Sequence, residues 1–318
     1  MMSPCSVIGI DVGGTKIAVG TLELPTGRWM PFRTTPTRRD RGPQVVLEEI
    51  LQMTRELASS SALAGRPVAA IGVGLCELVG RSGTPLSGHS IAWQDLPVLE
   101  ELAQVAPALF EADVRASAQA EALFGAGAGL DSFLYVTVGT GISCCLMVEG
   151  RPHLGTHGVT GTLASSPLGP LLGIPDGGPG MTLEDLASGP ALVARFRKAG
   201  GVANRGEEVL RAAIEGHPIA TEIVRTGATA LGAHIGLLVN VLDPAAVVVG
   251  GGLGSSTGPY WDALTVAARS QIWSDTHRPL PLLQAKTGVD AGWLGAAIAA
   301  LDRFELPRPD LSAPPFPS

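Results

Sequence analysis

The chain has 318 residues and a formal net charge of −7, enough for one large domain or two moderate ones around a full core. The acidic balance argues against nucleic acid as a partner, because phosphate backbones are met by basic patches. With no apolar run of membrane-spanning length and no leader-like start, a cytoplasmic protein without membrane contact is expected. Forty-two glycines and 25 prolines against 4% aromatics point to many tight turns between aliphatic strands and helices. The four cysteines (Cys5, Cys76, Cys144, Cys145) form no C-x-x-C pair and read as small buried hydrophobes.

Val7 to Val12 is a short β-branched run with Asp11 inside it, and it leads into Gly13-Gly14-Thr15-Lys16. A returning strand through Ile17, Val19 and Leu22 makes this a hairpin whose tip offers backbone N–H groups to an anion. Asp11 admits two readings: an ordinary turn carboxylate, or an acid kept ionised by a nearby cation. Arg38 to Arg41 holds a small basic cluster, interrupted by Asp40, and reads as a solvated loop. The spacing of Val46, Leu47, Ile50, Leu51 and Leu57 predicts a helix over 44–64. A strand over 67–75 follows and carries Cys76 and Glu77 at its carboxyl end, where open α/β sheets place ligands. Residues 80–95 read as a substrate loop and 96–105 as a short helix.

Residues 109–111 read as a brief strand, and 116–124 as a helix rich in alanine. Asp113 therefore stands at a strand-to-helix junction, either as a helix cap or as a general base aimed at a substrate. Phe133 to Val138 is a strand that ends in Gly139-Thr140-Gly141 and returns through Cys144 to Val148. This second hairpin repeats the design of the first, and two such hairpins suggest two related lobes facing one cleft. Residues 150–182 are turn-rich. Thr182, with Asp185 three residues on, reads as the cap of a helix that runs to Phe196 and breaks at Gly189-Pro190. Helices over 207–215 and 219–242 precede a strand at 246–249 and three glycines, Gly250 to Gly252. The triglycine either lets a flat group such as an adenosine lie on backbone or permits close helix packing. Helices over 261–273 and 288–301 complete the pattern, and the proline-rich stretch 307–318 reads as a disordered tail.

These residues together resemble the ROK family, within the actin-like, hexokinase-like ATPase superfamily. The motifs carrying the likeness are Ile-Asp-Val-Gly-Gly-Thr-Lys (10–16), Ala-Asp-Val-Arg-Ala-Ser-Ala-Gln-Ala-Glu (112–121), Val-Gly-Thr-Gly-Ile-Ser (138–143), Leu-Glu-Asp-Leu-Ala-Ser-Gly (183–189) and Val-Val-Gly-Gly-Gly-Leu (248–253). The resemblance implies an α/β fold: a two-lobed actin-like ATPase with ribonuclease H-like lobes, mixed sheets flanked by helices, and a central cleft. One lobe would span 1–118, completed by a helix at 290–306, and the other 119–289. It also implies ATP and Mg2+ as cofactors and a homodimer. Asp11 would act near the metal, directly or through water. Gly13, Gly14, Thr15 and Lys16 would form the first phosphate loop, Gly139, Thr140 and Gly141 the second, and Gly250, Gly251 and Gly252 the adenosine loop. Asp113 would be the general base.

The departures concern the acceptor. Ala112 stands where an asparagine is usual, and Cys76-Glu77 where Pro-Gly is common. The Gly-Glu-Ile-Gly-His segment is replaced by Gly161-Thr162-Leu163-Ala164-Ser165, which puts Thr162 and Ser165 at the sugar-gripping positions. The zinc-binding cysteine segment is missing, with Thr182 at its last cysteine, so no zinc site is expected. Glu184 survives as a hydroxyl-binding acid. Retained chemistry with altered recognition leads to the expectation of a kinase for a small polyol: a sugar, a cyclitol or an aminocyclitol. Glu77, Glu111 and Glu184 would favour an amine-bearing acceptor, unless Glu77 and Glu111 are solvated or paired with Arg115. The competing expectation is a catalytically silent sugar-binding or regulatory protein without a DNA-binding domain.

Overall fold

The computed structural model describes residues 3–168 and 180–309. The first half of the chain forms β1 (Cys5–Val12), β2 (Lys16–Leu24), β3 (Trp29–Pro36), α1 (Pro43–Leu63), β4 (Val68–Leu75), α2 (Val98–Leu102), β5 (Ala108–Ala112) and α3 (Asp113–Phe124). Then come β6 (Ser132–Val138), β7 (Ile142–Val148), β8 (Arg151–Pro152), α4 (Leu183–Ala187), α5 (Gly189–Lys198), α6 (Gly206–Ile214) and α7 (Pro218–Leu242). The last elements are β9 (Val247–Gly250), α8 (Gly251–Gly254), α9 (Pro259–Gln271), β10 (Leu282–Gln284) and α10 (Ala291–Arg303). Two compact units result. Among the described residues, the first takes those up to Leu123, Leu154–Val159 and those from Val289 on. The second takes Phe124–His153 and Thr160–Gly288.

The first unit holds a sheet of order β3-β2-β1-β4-β5, in which β1 pairs antiparallel to β2 and parallel to β4, and β4 parallel to β5. One face receives α1, whose Val46, Leu47, Ile50 and Leu57 repeat at helical spacing and pack with Ile8, Ile10 and Ile71. The other face receives α10 through a row of glycines. Gly20, Gly9 and Gly72 are paired side by side across β2, β1 and β4. A Cβ on Gly9 would stand 1.8 Å from the Trp293 carbonyl oxygen, and one on Gly72 1.8 Å from that of Ala296. The helix therefore lies in a trough that only glycine can leave open.

The second unit repeats this plan. Its sheet runs β10-β9-β6-β7-β8, so the β6–β7 hairpin and parallel β9 and β10 reproduce the order of β1–β2, β4 and β5. α7 begins at Pro218 and stops where Asp243 turns left-handed (φ 48). Its Gly232 and Gly236 admit the backbone of α9.

Several elements differ from the sequence expectation. β3 was not expected: it is an exposed edge strand with no alternating apolar face, held by pairing to β2. β10, three half-buried residues, carries too short a pattern to be seen. The triglycine stretch is not a plain turn, because Gly251 and Gly252 open the short α8. The division between the compact units falls within the last turn of α3, after Leu123, and Leu154–Val159 belongs to the first unit. Thr182 and Asp185 do form a reciprocal capping box. Part of the turn-rich stretch (169–179) and most of the expected tail (310–318) lie outside the described residues.

Candidate active site

In the first unit three parallel strands end along one edge of the sheet, and each delivers a titratable side chain there. Asp11 lies one residue before the end of β1, Cys76 directly follows β4, and Asp113 directly follows β5. Their alignment comes from register, since Asp11 is paired with Gly74 and Leu75 with Ala112. The Asp11 carboxylate sits against the first turn of α10, where a Cβ on Gly292 would fall 2.6 Å from its Oδ2. Burial raises the pKa of Asp11 to about 6, against the pull of the Lys16 ammonium. Asp113 is pushed further, to about 7, first by burial and then by the negative charge of Asp11. Its Oδ1 accepts the Val114 N–H at 2.6 Å, and Oδ2 has no hydrogen-bond partner among the described residues. Asp113 is itself the first residue of α3 and accepts only the adjacent N–H, which is not the N-cap geometry; one oxygen is held locally and the other is left available. The Cys76 thiol is pushed up to about 11, mainly by burial, and is hydrogen-bonded to the Ser90 side chain.

The hairpin tip beside these groups is pinned from below. Gly13 N–H donates to the Lys16 carbonyl (2.9 Å), and buried Thr37 donates its hydroxyl to the Gly13 carbonyl (2.6 Å) and its N–H to that of Thr15 (3.0 Å). Thr15 and Lys16 are exposed, and Gly13 and Gly14 half-buried.

Two of the three acids expected to read an amine, Glu77 and Glu111, are already occupied. Glu77 is buried, and its Oε2 accepts the Ser87 hydroxyl (2.5 Å) and the His89 N–H (2.9 Å), while Oε1 accepts the N–H groups of Ser90 (2.6 Å) and Ile91 (3.1 Å). Burial alone would raise its pKa, but these four donors more than offset it and hold Glu77 below the usual glutamate range. Glu77 is thus the tether of the 87–91 loop rather than an acceptor contact. Glu111 Oε1 receives the Arg115 Nε at 2.5 Å and the Ala112 N–H at 2.9 Å. Arg115, buried, spends its remaining nitrogens on the Gly158 and Val79 carbonyls. Glu111 is therefore paired, as the bland alternative held. The methyl of Ala112 is buried.

In the second unit Gly139, Thr140 and Gly141 form the tip between β6 and β7. Gly189, opening α5, donates its N–H to the Gly139 carbonyl at 2.8 Å, and a Cβ on Gly139 would fall 3.6 Å from the Gly252 nitrogen. Packing within the unit accounts for two of the three glycines. A Cβ on Gly250 would stand 2.5 Å from the Tyr135 hydroxyl, and Gly251, at φ 83, would place one 2.4 Å from the Val138 carbonyl. Gly252 instead faces the carboxylate of Glu207, 3.1 Å from its Cβ position. Glu184 accepts the Ile142 N–H on Oε2 at 2.8 Å, so one of its oxygens braces the hairpin. Thr162 and Ser165 are exposed in a single 3-10 turn, with the Ser165 hydroxyl bonded back to the Thr162 carbonyl.

What sequence reasoning missed are the partners rather than the acids: Thr37 beneath the first hairpin, Ser87 to Ile91 around Glu77, and Ile142 on Glu184. Ile142 and Glu184 stand 42 positions apart in the chain, with no local signal of that bond.

The two α/β units share one topology, and each carries a hairpin that ends in a small polar tip. Comparison with known proteins gives the family. The ROK family pattern matches residues 7–303, and the chain belongs to the ROK family. It is 29% identical over 314 residues to a glucokinase from Streptomyces coelicolor, covering 91% of this chain and 96% of that one. Among solved structures, a ROK hexokinase from Thermus thermophilus superposes with a TM-score of 0.77 at 33% identity, covering 94% of this chain and 99% of the other. A ROK family glucokinase from Streptomyces griseus, in complex with glucose and AMPPNP, matches with a TM-score of 0.77 at 27% identity over 93% and 99% of the two chains. No helix among the described residues is long and apolar enough to cross a membrane.

Proposed function

We propose that this protein is an ATP-dependent kinase that phosphorylates a hydroxyl of a sugar or closely related polyol, with Asp113 as the general base. The observation that carries the reading is Asp113 itself: a carboxylate at a strand-to-helix junction, with one oxygen fixed by Val114 and a pKa raised to about 7. A base of that strength is half-ionised at neutral pH and matched to taking a proton from an alcohol as it attacks. The glucokinase relatives support a sugar as the acceptor, and the AMPPNP held by one of them supports ATP as the donor.

The donor chemistry near Asp11 fits a magnesium ion. A hard carboxylate oxygen, reluctant to ionise in its buried setting, is steadied by a cation. Magnesium keeps several waters and takes substrate phosphates as ligands, so one or two carboxylates suffice to hold it. Asp11 would hold it, directly or through water, and the ion would neutralise charge on the phosphates. Gly13 to Lys16 in the first unit and Gly139 to Gly141 in the second supply the phosphate-facing turns, with Gly250 to Gly252 at the nucleoside. Transfer is in line, and positioning does most of the work.

The test is acceptor-dependent ADP release with Mg-ATP over hexoses, N-acetylhexosamines, cyclitols and aminocyclitols. Turnover on at least one, reduced by about 10²- to 10⁴-fold in Asp113→Asn with ATP binding intact, is expected. Loss of ATP binding in that variant would make Asp113 structural instead. One observation favours a second reading, a sugar-binding protein without turnover: the exposed Thr162 and Ser165 bring neither acid nor histidine to the sugar-gripping segment. Silence across the panel with ATP bound would select it. The homodimer is part of the same proposal and is checked by light scattering.

A further inference from the structure

The tip of the first hairpin is approached by two side chains from elsewhere in its own unit. A Cβ on Gly14 would stand 3.7 Å from Arg39 Nη1 and 3.9 Å from Ser90 Oγ. Neither approach is accidental in its anchoring. Arg39 opens a 3-10 turn (Arg39–Arg41) that follows directly on Thr37, the residue hydrogen-bonded to both Gly13 and Thr15, with Arg38 between them in a left-handed conformation (φ 50). Ser90 belongs to the loop that buried Glu77 holds by four hydrogen bonds, one of them to the Ser90 N–H itself. The Arg39 guanidinium has no ion-pair or hydrogen-bond partner among the described residues, nor do the N–H groups of Gly14 and Thr15. A planar cation and a hydroxyl, the latter also bonded to the Cys76 thiol, therefore flank the tip at Gly14, which carries no side chain and whose N–H, like that of Thr15, is uncommitted among the described residues.

We propose that Arg39 and Ser90, with the amides of Gly14 and Thr15, form a binding site for a terminal phosphate dianion. Guanidinium geometry matches two phosphate oxygens at once, and turn amides supply further donors. Under the kinase reading, on which this rests, the dianion is the γ-phosphoryl group of ATP, and Arg39 stabilises the charge on it during transfer. A phosphate carried by a sugar monophosphate presents the same chemistry.

Calorimetric titration of the full-length protein with ATP, ADP and glucose 6-phosphate separates these sources. In Arg39→Ala, ATP affinity should fall by about 10- to 100-fold while ADP affinity stays within about twofold, and Arg39→Lys should lie between, having lost the bidentate fork. Ser90→Ala should shift ATP affinity in the same direction by a smaller factor, and Arg41→Ala, an exposed neighbour in the same turn, should match wild type. Loss of glucose 6-phosphate binding with ATP unaffected would support the site and assign its phosphate to the sugar. Unchanged affinity for both ligands in Arg39→Ala and Ser90→Ala would overturn it. ADP release on the same preparations keeps the two claims apart. Turnover and ATP affinity both unchanged in Arg39→Ala would remove the site and leave the kinase standing. Arg39-dependent ATP binding without turnover in the wild type would do the reverse.

Discussion

The negative charge of Asp11, near the end of β1, raises the proton affinity of Asp113 at the start of α3. Burial acts first, and the charge of Asp11, from β1 with β4 lying between, adds to it; together they set Asp113 at about 7 where an unperturbed aspartate lies near 3.9.

The pH dependence follows from that shift. Acceptor kcat/KM should rise with pH through about 7 as Asp113 ionises. Stability moves the other way: the folded state binds the extra proton, so this contribution is complete below the unfolded pKa near 3.9 and is lost as pH rises through about 7. Asp113→Asn, which keeps the acceptor for Val114 N–H, should therefore melt above wild type at pH 8, with the gap closing towards pH 5. Carboxyl-carbon NMR of the apo protein should show Asp113 titrating lower once Asp11→Asn removes the like charge. An Asp113 midpoint near 4 in the wild type would contradict all three.

Glu77→Gln tests the loop tether. An amide nitrogen would face backbone N–H donors where a carboxylate oxygen now accepts them, at a cost of about 1.5–3 kcal/mol. Urea unfolding should register the loss, and amide exchange should quicken at Ser90 and Ile91. Because the folded pKa of Glu77 is depressed, its contribution is present above the unfolded value near 4.3 and disappears as pH falls through the folded value. The wild-type and variant stabilities should accordingly converge in acid. A variant as stable as wild type at pH 7 would mean that the loop holds itself.

Gly72→Ala tests the helix trough. The added methyl would meet the Ala296 carbonyl 1.8 Å away, and since both are backbone-fixed, either α10 or β4 has to move. A loss of about 3 kcal/mol or more is expected from overpacking of this kind. Gly65→Ala, at a positive φ with open space around it, should lose only about 1 kcal/mol from backbone strain. Equal losses at the two sites would remove packing as the reason for glycine at 72.

The strand ends that carry the acids were legible because their signals are local. A β-branched run with an acid, a small polar tip, and an aspartate between strand and helix each fit within a few residues, and the strands carrying Asp11 and Asp113 lie where they were read. What Glu77 does was not legible, because its four donors begin ten residues downstream in a loop without periodic structure. Arg38 to Arg41 read as solvated charge, since nothing in the chain says that residue 39 ends up beside residue 14. The edge strand Trp29–Pro36 escaped because pairing to β2, rather than burial, holds it extended.

The glycine trough under α10 also sets an order of events on the ribosome. The strands that form it are complete by Leu75, yet the helix that covers them begins only at Ala291. For more than two hundred residues of elongation that face of the sheet has no lid, while most of the second unit, Thr160–Gly288, is already in place to fold. The oldest strands of the chain thus wait for one of the last-made helices before their glycine face is covered.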